Sequence, residues 1–179
     1  MRLKLNLNEA RETLRSKAKQ SRGAILIVDD EQANLDGLSA VLEREYNVTR
    51  ALNAKEALSA VAQETFDLII TDQRMPEMLG TELLSQLAED EPEADRLNIL
   101  LTGYTDIDDL ITCLNDGLLY RYLVKPWSAV ELLATVNQAF DKLEANRQLD
   151  LQSAQLKREV EERRKAQGEL ELALNELKE

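Results

Sequence analysis

The sequence predicts an α/β chain: an open parallel sheet wound on both faces by helices, extended at its C-terminal end by one long helix. Three observations carry this prediction. Between residues 23 and 139, five short apolar runs alternate with segments of helical period. The runs are apolar at consecutive positions rather than at every second one, which suits strands buried on both faces. From Ser128 to Lys178 there is no proline and one glycine, Gly168, so the last helix has no strong reason to stop.

The first strand is Ala24–Val28 (AILIV), followed directly by Asp29 and Asp30. Residues 32–44 place Leu35, Leu38, Val41 and Leu42 at helical spacing. Residues 46–52 form a weaker second strand. Residues 55–64 are helical, with Ala57, Leu58 and Val61 on one face. Residues 67–71 (DLIIT) are the third strand, ending at Asp72, and residues 81–89 are helical. Residues 97–101 (LNILL) are the fourth strand, ending at Thr102, with a helix over 106–115. Residues 119–124 are the fifth strand, ending at Lys125. Ser128 with Glu131 three residues on has the spacing of a capping box. Alternation of this kind specifies a parallel sheet with right-handed crossovers.

Composition excludes several chemistries. The 179 residues carry 22 Lys+Arg and 34 Asp+Glu, a net charge of −12, and no histidine. The acidic balance opposes direct nucleic-acid binding. Without histidine there is no Ser-His-Asp triad, no histidine metal ligand and no phosphorylation of the chain's own histidine. One cysteine, Cys113, supports neither an internal disulfide nor a thiolate metal site. No apolar stretch approaches the roughly 20 residues of a membrane span, and the N-terminus lacks a signal-peptide core. A cytoplasmic chain is expected.

Charge divides the chain into three segments. Residues 1–22 carry seven basic and two acidic side chains, residues 23–139 seven and 22, and residues 140–179 eight and ten. The first is a basic leader, expected to be helical, either solvated or docked on an acidic surface; its apolar face is too small for more than weak membrane-surface attachment. The second alone has the composition of a globular core.

In parallel sheets the functional site lies beyond the carboxyl ends of the strands. Those ends carry Asp29 and Asp30, Asp72, Thr102 and Lys125, each closing an apolar run. Singly, each has a bland role: a helix cap, a turn residue, a surface lysine. Jointly they point to chemistry. Two like charges at about 4 Å cost on the order of 4 kcal/mol at an effective dielectric near 20. A hard divalent cation offsets that cost, and oxygen-only donors favour Mg²⁺ or Mn²⁺. Carboxylates, cation, lysine and hydroxyl together make a phosphoryl-transfer site, with Asp72 as the acceptor.

At these residues the chain resembles the receiver domain of two-component response regulators. Residues 25–31 (ILIVDDE), 67–72 (DLIITD) with Met75, Pro76 and Gly80, 100–103 (LLTG) and 122–126 (YLVKP) carry the likeness, which spans 23–139. The resemblance implies a flavodoxin-like sheet of strand order 2-1-3-4-5. It implies that Asp72 is phosphorylated by a partner sensor histidine kinase or phosphotransfer protein. Asp29, Asp30, Asp72 and the backbone carbonyl of Arg74 would then hold Mg²⁺, while Lys125 and Thr102 contact the phosphoryl group. Tyr122 matches the aromatic switch residue, and Lys125-Pro126 a position that is often cis. Such a domain is a regulatory phosphoacceptor rather than an enzyme turning over external substrate. Arg74 and Tyr104 flank the path of attacking water and are expected to lengthen the phosphorylated lifetime.

Two other classes fit less well. A haloacid-dehalogenase-type phosphatase would place Asp-x-Asp after the first strand, where Asp29-Asp30 stands. A nucleotide binder would need a Gly-rich loop there. A scaffold acting without phosphorylation is the remaining alternative.

Residues 140–179 read as heptads, with Asn146, Ser153, Val160, Gln167 and Leu174 at a, and Leu149, Leu156, Arg163, Leu170 and Leu177 at d. Six of these ten are Leu or Val, so a parallel homodimeric coiled coil is expected, weak at its centre. The stretch 159–179 resembles signalling helices that join receiver or sensor modules to an output domain, which is expected beyond residue 179.

Overall fold

The computed structural model describes residues 22–103 and 117–176. Their elements run β1 (Ala24–Val28), α1 (Gln32–Leu42), β2 (Asn47–Ala51), α2 (Ala54–Val61), β3 (Leu68–Asp72), α3 (Gly80–Asp90), β4 (Leu97–Thr102), β5 (Arg121–Val124) and α4 (Ala129–Glu176). The helix expected over 106–115 and residues 1–21 of the leader lie outside the described residues. All five strands are parallel, in the order β2-β1-β3-β4-β5. This is the expected flavodoxin-like, doubly wound sheet.

Alternate side chains of the central strands feed two cores. Leu26, Val28, Ile69 and Leu100 pack with Ala57, Val61, Leu83 and Leu87 of α2 and α3. Ile25, Ile27, Leu68, Ile70, Ile99 and Leu101 pack on the other face with Leu35, Leu38 and Leu42 of α1 and Leu132, Val136 and Ala139 of α4. Each fully buried Leu or Ile contributes about 2 kcal/mol of transfer free energy. Burial on both faces explains why these strands lack polar alternation.

Several boundaries differ from the sequence expectation. β3 runs one residue further, so Asp72 is its last residue and pairs with Leu101. β5 begins at Arg121 rather than 119, because the chain before it is held by the Asn98 amide donating to the Leu118 carbonyl at 2.8 Å. Tyr46 is not the start of β2. It is a core residue whose ring stacks on Phe140, centroids 4.7 Å apart, with its hydroxyl donating to Asn137 Oδ1 at 2.6 Å.

Helix ends follow local chemistry. Asn53 caps α2, accepting from Glu56 N–H at 2.9 Å. Ser128 Oγ accepts from Glu131 N–H at 3.1 Å, the first half of the capping box at α4. α3 starts differently. Its N-cap, Leu79, has no side-chain acceptor, and Gln73 serves instead: its Oε1 accepts from Thr81 N–H at 3.1 Å and its carbonyl from Gly80 N–H at 3.0 Å. Glu82 accepts from Leu79 N–H at 2.8 Å. At the other end of α3, Arg96 donates to the Leu87 carbonyl at 2.8 Å.

The chain divides into two compact units between Phe140 and Asp141. In the second, helix continues through Gly168. Leu149, Leu151, Leu156 and Val160 are exposed there. Arg163 and Glu159 pair at 2.7 Å, one turn apart. The side chains of Leu170, Leu174 and Leu177 lie outside the described residues.

Candidate functional site

β1 is flanked by β2 on one side and β3 on the other, so successive connections leave it in opposite directions. The carboxyl ends of β1 and β3 therefore frame the switch-point crevice of the sheet. Asp29 follows β1 and is fully buried, and Asp72 closes β3 at 7 % exposure. Lys125 follows β5 and reaches both: its Nζ lies 3.0 Å from Asp29 Oδ2 and 2.7 Å from Asp72 Oδ1. The Lys125-Pro126 bond is cis. Lys125 N–H donates to the Thr102 carbonyl at 2.8 Å, tying the ends of β4 and β5 together beside the site.

The carboxylates have further donors. Asp72 Oδ2 accepts from Arg74 N–H at 3.2 Å. Asp29 Oδ1 accepts from Glu31 N–H at 2.9 Å, and the Asn34 amide spans both Asp29 oxygens at 2.9 and 3.1 Å. Burial pushes the Asp72 carboxyl above its usual range, with the Asp29 charge adding to the rise and Lys125 and the Arg74 N–H opposing it. Desolvation by itself would lower Lys125, but hydrogen bonds to Asp72 and Asp29 outweigh it, so its pKa is raised and the ammonium stays charged.

The structure thus brings Asp29, Asp72 and Lys125 into one cluster. Thr102 is buried one residue beyond Leu101, the β4 partner of Asp72, and its hydroxyl donates to the Gly103 carbonyl at 3.1 Å. Asp30 stands outside the cluster, exposed. The three-carboxylate convergence expected from the sequence is here two carboxylates and an ammonium. Among the described residues no three acidic or cysteine side chains are grouped to hold a metal. The Arg74 side chain is exposed, and Tyr122 is 44 % exposed on β5. Tyr104 lies outside the described residues.

Sequence reasoning missed two amides. Asn34 shares a helical stripe with Leu38, a polar residue on an apolar face, which was a signal available for reading. Gln73, buried between β3 and α3, left none.

The family model of the response regulator receiver domain matches residues 25–137, more than half of the chain. The chain belongs to that family. It is a receiver domain of a two-component response regulator joined to a long helix. Over 120 residues it is 37 % identical to the hydrogenase transcriptional regulatory protein HoxA of Cupriavidus necator, covering 67 % of this chain and 24 % of that one. A CheY-like receiver domain protein from Methanospirillum hungatei superposes with a TM-score of 0.64 at 35 % identity, covering 69 % of this chain and 97 % of that chain. A structure described as adenylate cyclase from Rhodopirellula baltica gives a TM-score of 0.64 at 29 % identity, covering 70 % and 95 %. The receiver chain spans about a quarter of the length of HoxA.

Proposed function

We propose that Asp72 is the phosphoacceptor of this receiver domain, and that its phosphorylation is the signal the protein carries. The supporting observation is the convergence at the switch point of Asp72, a second buried carboxylate and a shared lysine. The chain has no histidine of its own, so the donor is a phosphohistidine on a sensor histidine kinase or phosphotransfer protein. An Asp72 carboxylate oxygen forms the new P–O bond as the P–N bond to the donor imidazole breaks. The Lys125 ammonium then serves the phosphoryl oxygens, joined by the Thr102 hydroxyl.

The donor set suits Mg²⁺, with Mn²⁺ able to replace it. The donors are oxygen only, and with Lys125 as their shared ion-pair partner Asp29 and Asp72 retain a net charge of −1. Asp29, Asp30, Asp72 and the Arg74 main-chain carbonyl would hold the ion. It would offset the charge gathered by the carboxylates and the incoming phosphoryl oxygens. Two or three protein oxygens suffice, since Mg²⁺ keeps several waters.

Phosphorylation draws Thr102 toward the new group, and Tyr122 turns into the space it leaves. The surface around β5 and the first turns of α4 is remodelled. We assign residues 1–22 to a basic leader, 23–139 to the receiver and 140–179 to a signalling helix that pairs as a parallel homodimer. That helix relays the change to an output domain outside these residues, in a cytoplasmic protein. Among the described residues no helix is long and apolar enough to cross a membrane.

Intact-mass spectrometry after incubation with acetyl phosphate tests the proposal. Wild type should gain one phosphoryl group only when Mg²⁺ is present, and Asp72→Asn should gain none. Absence of incorporation into wild type would leave a scaffold acting without phosphorylation as the better reading.

A further inference from the structure

The helix beyond Phe140 carries two apolar blocks in one heptad register. Leu149, Leu156 and Val160 make the first, and their side chains are exposed in the single chain. Leu170, Leu174 and Leu177 hold the same d and a positions in the second. The register resumes in phase, whereas an insertion of three or four residues would have turned the second block off the stripe. What is interrupted is the apolar character of the stripe. Arg163 stands at d and Gln167 at a. From Val160 to Leu170, about 15 Å of helix, no layer between them is apolar.

The structure shows how Arg163 is held. Its side chain is 80 % exposed, and its Nη2 donates to Glu159 Oε1 at 2.7 Å, one turn back on the same helix. In water such a pair costs little to keep. A seam closed over it would desolvate two guanidinium groups, one from each strand. Gln167 makes the next layer polar. Gly168, where a Cβ would meet open space, weakens the helix at the same point. The charges beside the break fit a second copy of this chain running parallel and in register. It sets Arg164 at e of one strand opposite Glu159 at g of the other.

We infer that the paired helix is two short coils joined by an open segment. The strands touch along 149–160 and again along 170–177, and over 163–168 they stay parted and hydrated. Arg163 is the residue that keeps this segment open. The inference rests on the homodimeric reading of the helix. A pair closed at two blocks and loose between them opens and repacks block by block, at lower cost than one continuous seam.

Two measurements on the 179-residue protein test it. Sedimentation equilibrium compares wild type with Arg163→Leu and with Glu162→Leu, which adds the same side chain at c, away from the seam. Arg163→Leu should lower the dimer dissociation constant on the order of tenfold, because two charges leave the seam. Glu162→Leu should stay near the wild-type value. Pulsed electron paramagnetic resonance then reads strand separation from spin labels at f, on Arg158→Cys, Lys165→Cys and Leu172→Cys in a Cys113→Ser background. The distance distribution should be broader at 165 than at 158 or 172, and Arg163→Leu should narrow it. Equal effects of the two leucine variants, equally narrow distributions at all three positions, or a breadth that simply grows from 158 to 172 overturns the inference. Should Cys113→Ser not fold, the sedimentation comparison alone decides. A wild type that stays monomeric overturns the homodimeric reading and the inference with it. A dimer closed through its middle overturns the inference alone.

Discussion

Asp72 is a carboxylate held in conflict. Burial and the Asp29 charge favour its neutral form, while Lys125 and the Arg74 N–H favour the ionised one, and the balance lies on the raised side of 3.8. A raised folded-state pKa means the native protein binds this proton more tightly than the unfolded chain. The resulting stabilisation is fully present below about 3.8 and is lost as pH climbs through the folded value. Carbon-13 NMR of metal-free protein should place the Asp72 carboxyl midpoint above 3.8, and Lys125→Met should raise it further by removing the two largest lowering contributions. A midpoint unchanged in that variant would contradict the ion-pair account. If Asp72 carries the phosphoryl group as proposed, residues beside it set how long the acyl phosphate lasts. Arg74 and Tyr104 lie two residues beyond Asp72 and Thr102 respectively, and we expect Arg74→Asn and Tyr104→Ala to dephosphorylate faster than wild type in a phosphate-release assay.

At the scale of elements, the joint between β3 and α3 is held by several hydrogen bonds and one close backbone approach. Gln73 serves the first turn of α3 with its backbone and side chain together, and its Nε2 also donates to Thr81 Oγ1 at 3.2 Å. Gln73→Ala leaves the buried Thr81 N–H without that partner. Urea unfolding should show a loss of about 2 kcal/mol with an unchanged m-value. Gly80 is there because nothing larger fits: a Cβ at that position would stand 2.2 Å from the Asp72 carbonyl oxygen. Gly80→Ala must push that strand end aside, costing about 3 kcal/mol and disturbing Asp72 itself. Local sequence did not announce this cap. Leu79 occupies the N-cap position without a capping atom, and the group that replaces it comes from the strand before.

At the scale of the whole molecule, the apolar positions Leu149, Leu156 and Val160 of the second unit's helix are exposed in the single chain. Apolar positions at heptad spacing on a long polar helix are stabilised by a partner of the same kind. Sedimentation equilibrium should find a dimer for the 179-residue chain, and Leu156→Asp should shift it toward monomer, since a charge at a d position is desolvated on pairing. If pairing also relays the signal, cysteine crosslinking along 149–177 should change on adding beryllofluoride. An identical crosslinking profile with and without it would remove the relay from the mechanism.

Much of this was written in the order of residues. Runs apolar at consecutive positions demand a sheet covered on both sides, and their alternation with helical segments demands parallel strands; both follow from short-range patterning and the burial of apolar surface. The polar residues closing four of the five runs single out Asp29, Asp72, Thr102 and Lys125, because strand ends are where a parallel sheet opens to ligands. Tertiary structure decided what patterning cannot reach. Asp29 and Asp30 are neighbours in sequence, and only the packed chain buries one and exposes the other. Asn34 and Gln73 gained their tasks from partners brought close by folding. Hydrogen bonding is directional and short-ranged, so which donors meet a carboxylate depends on positions that exist only once the sheet has assembled.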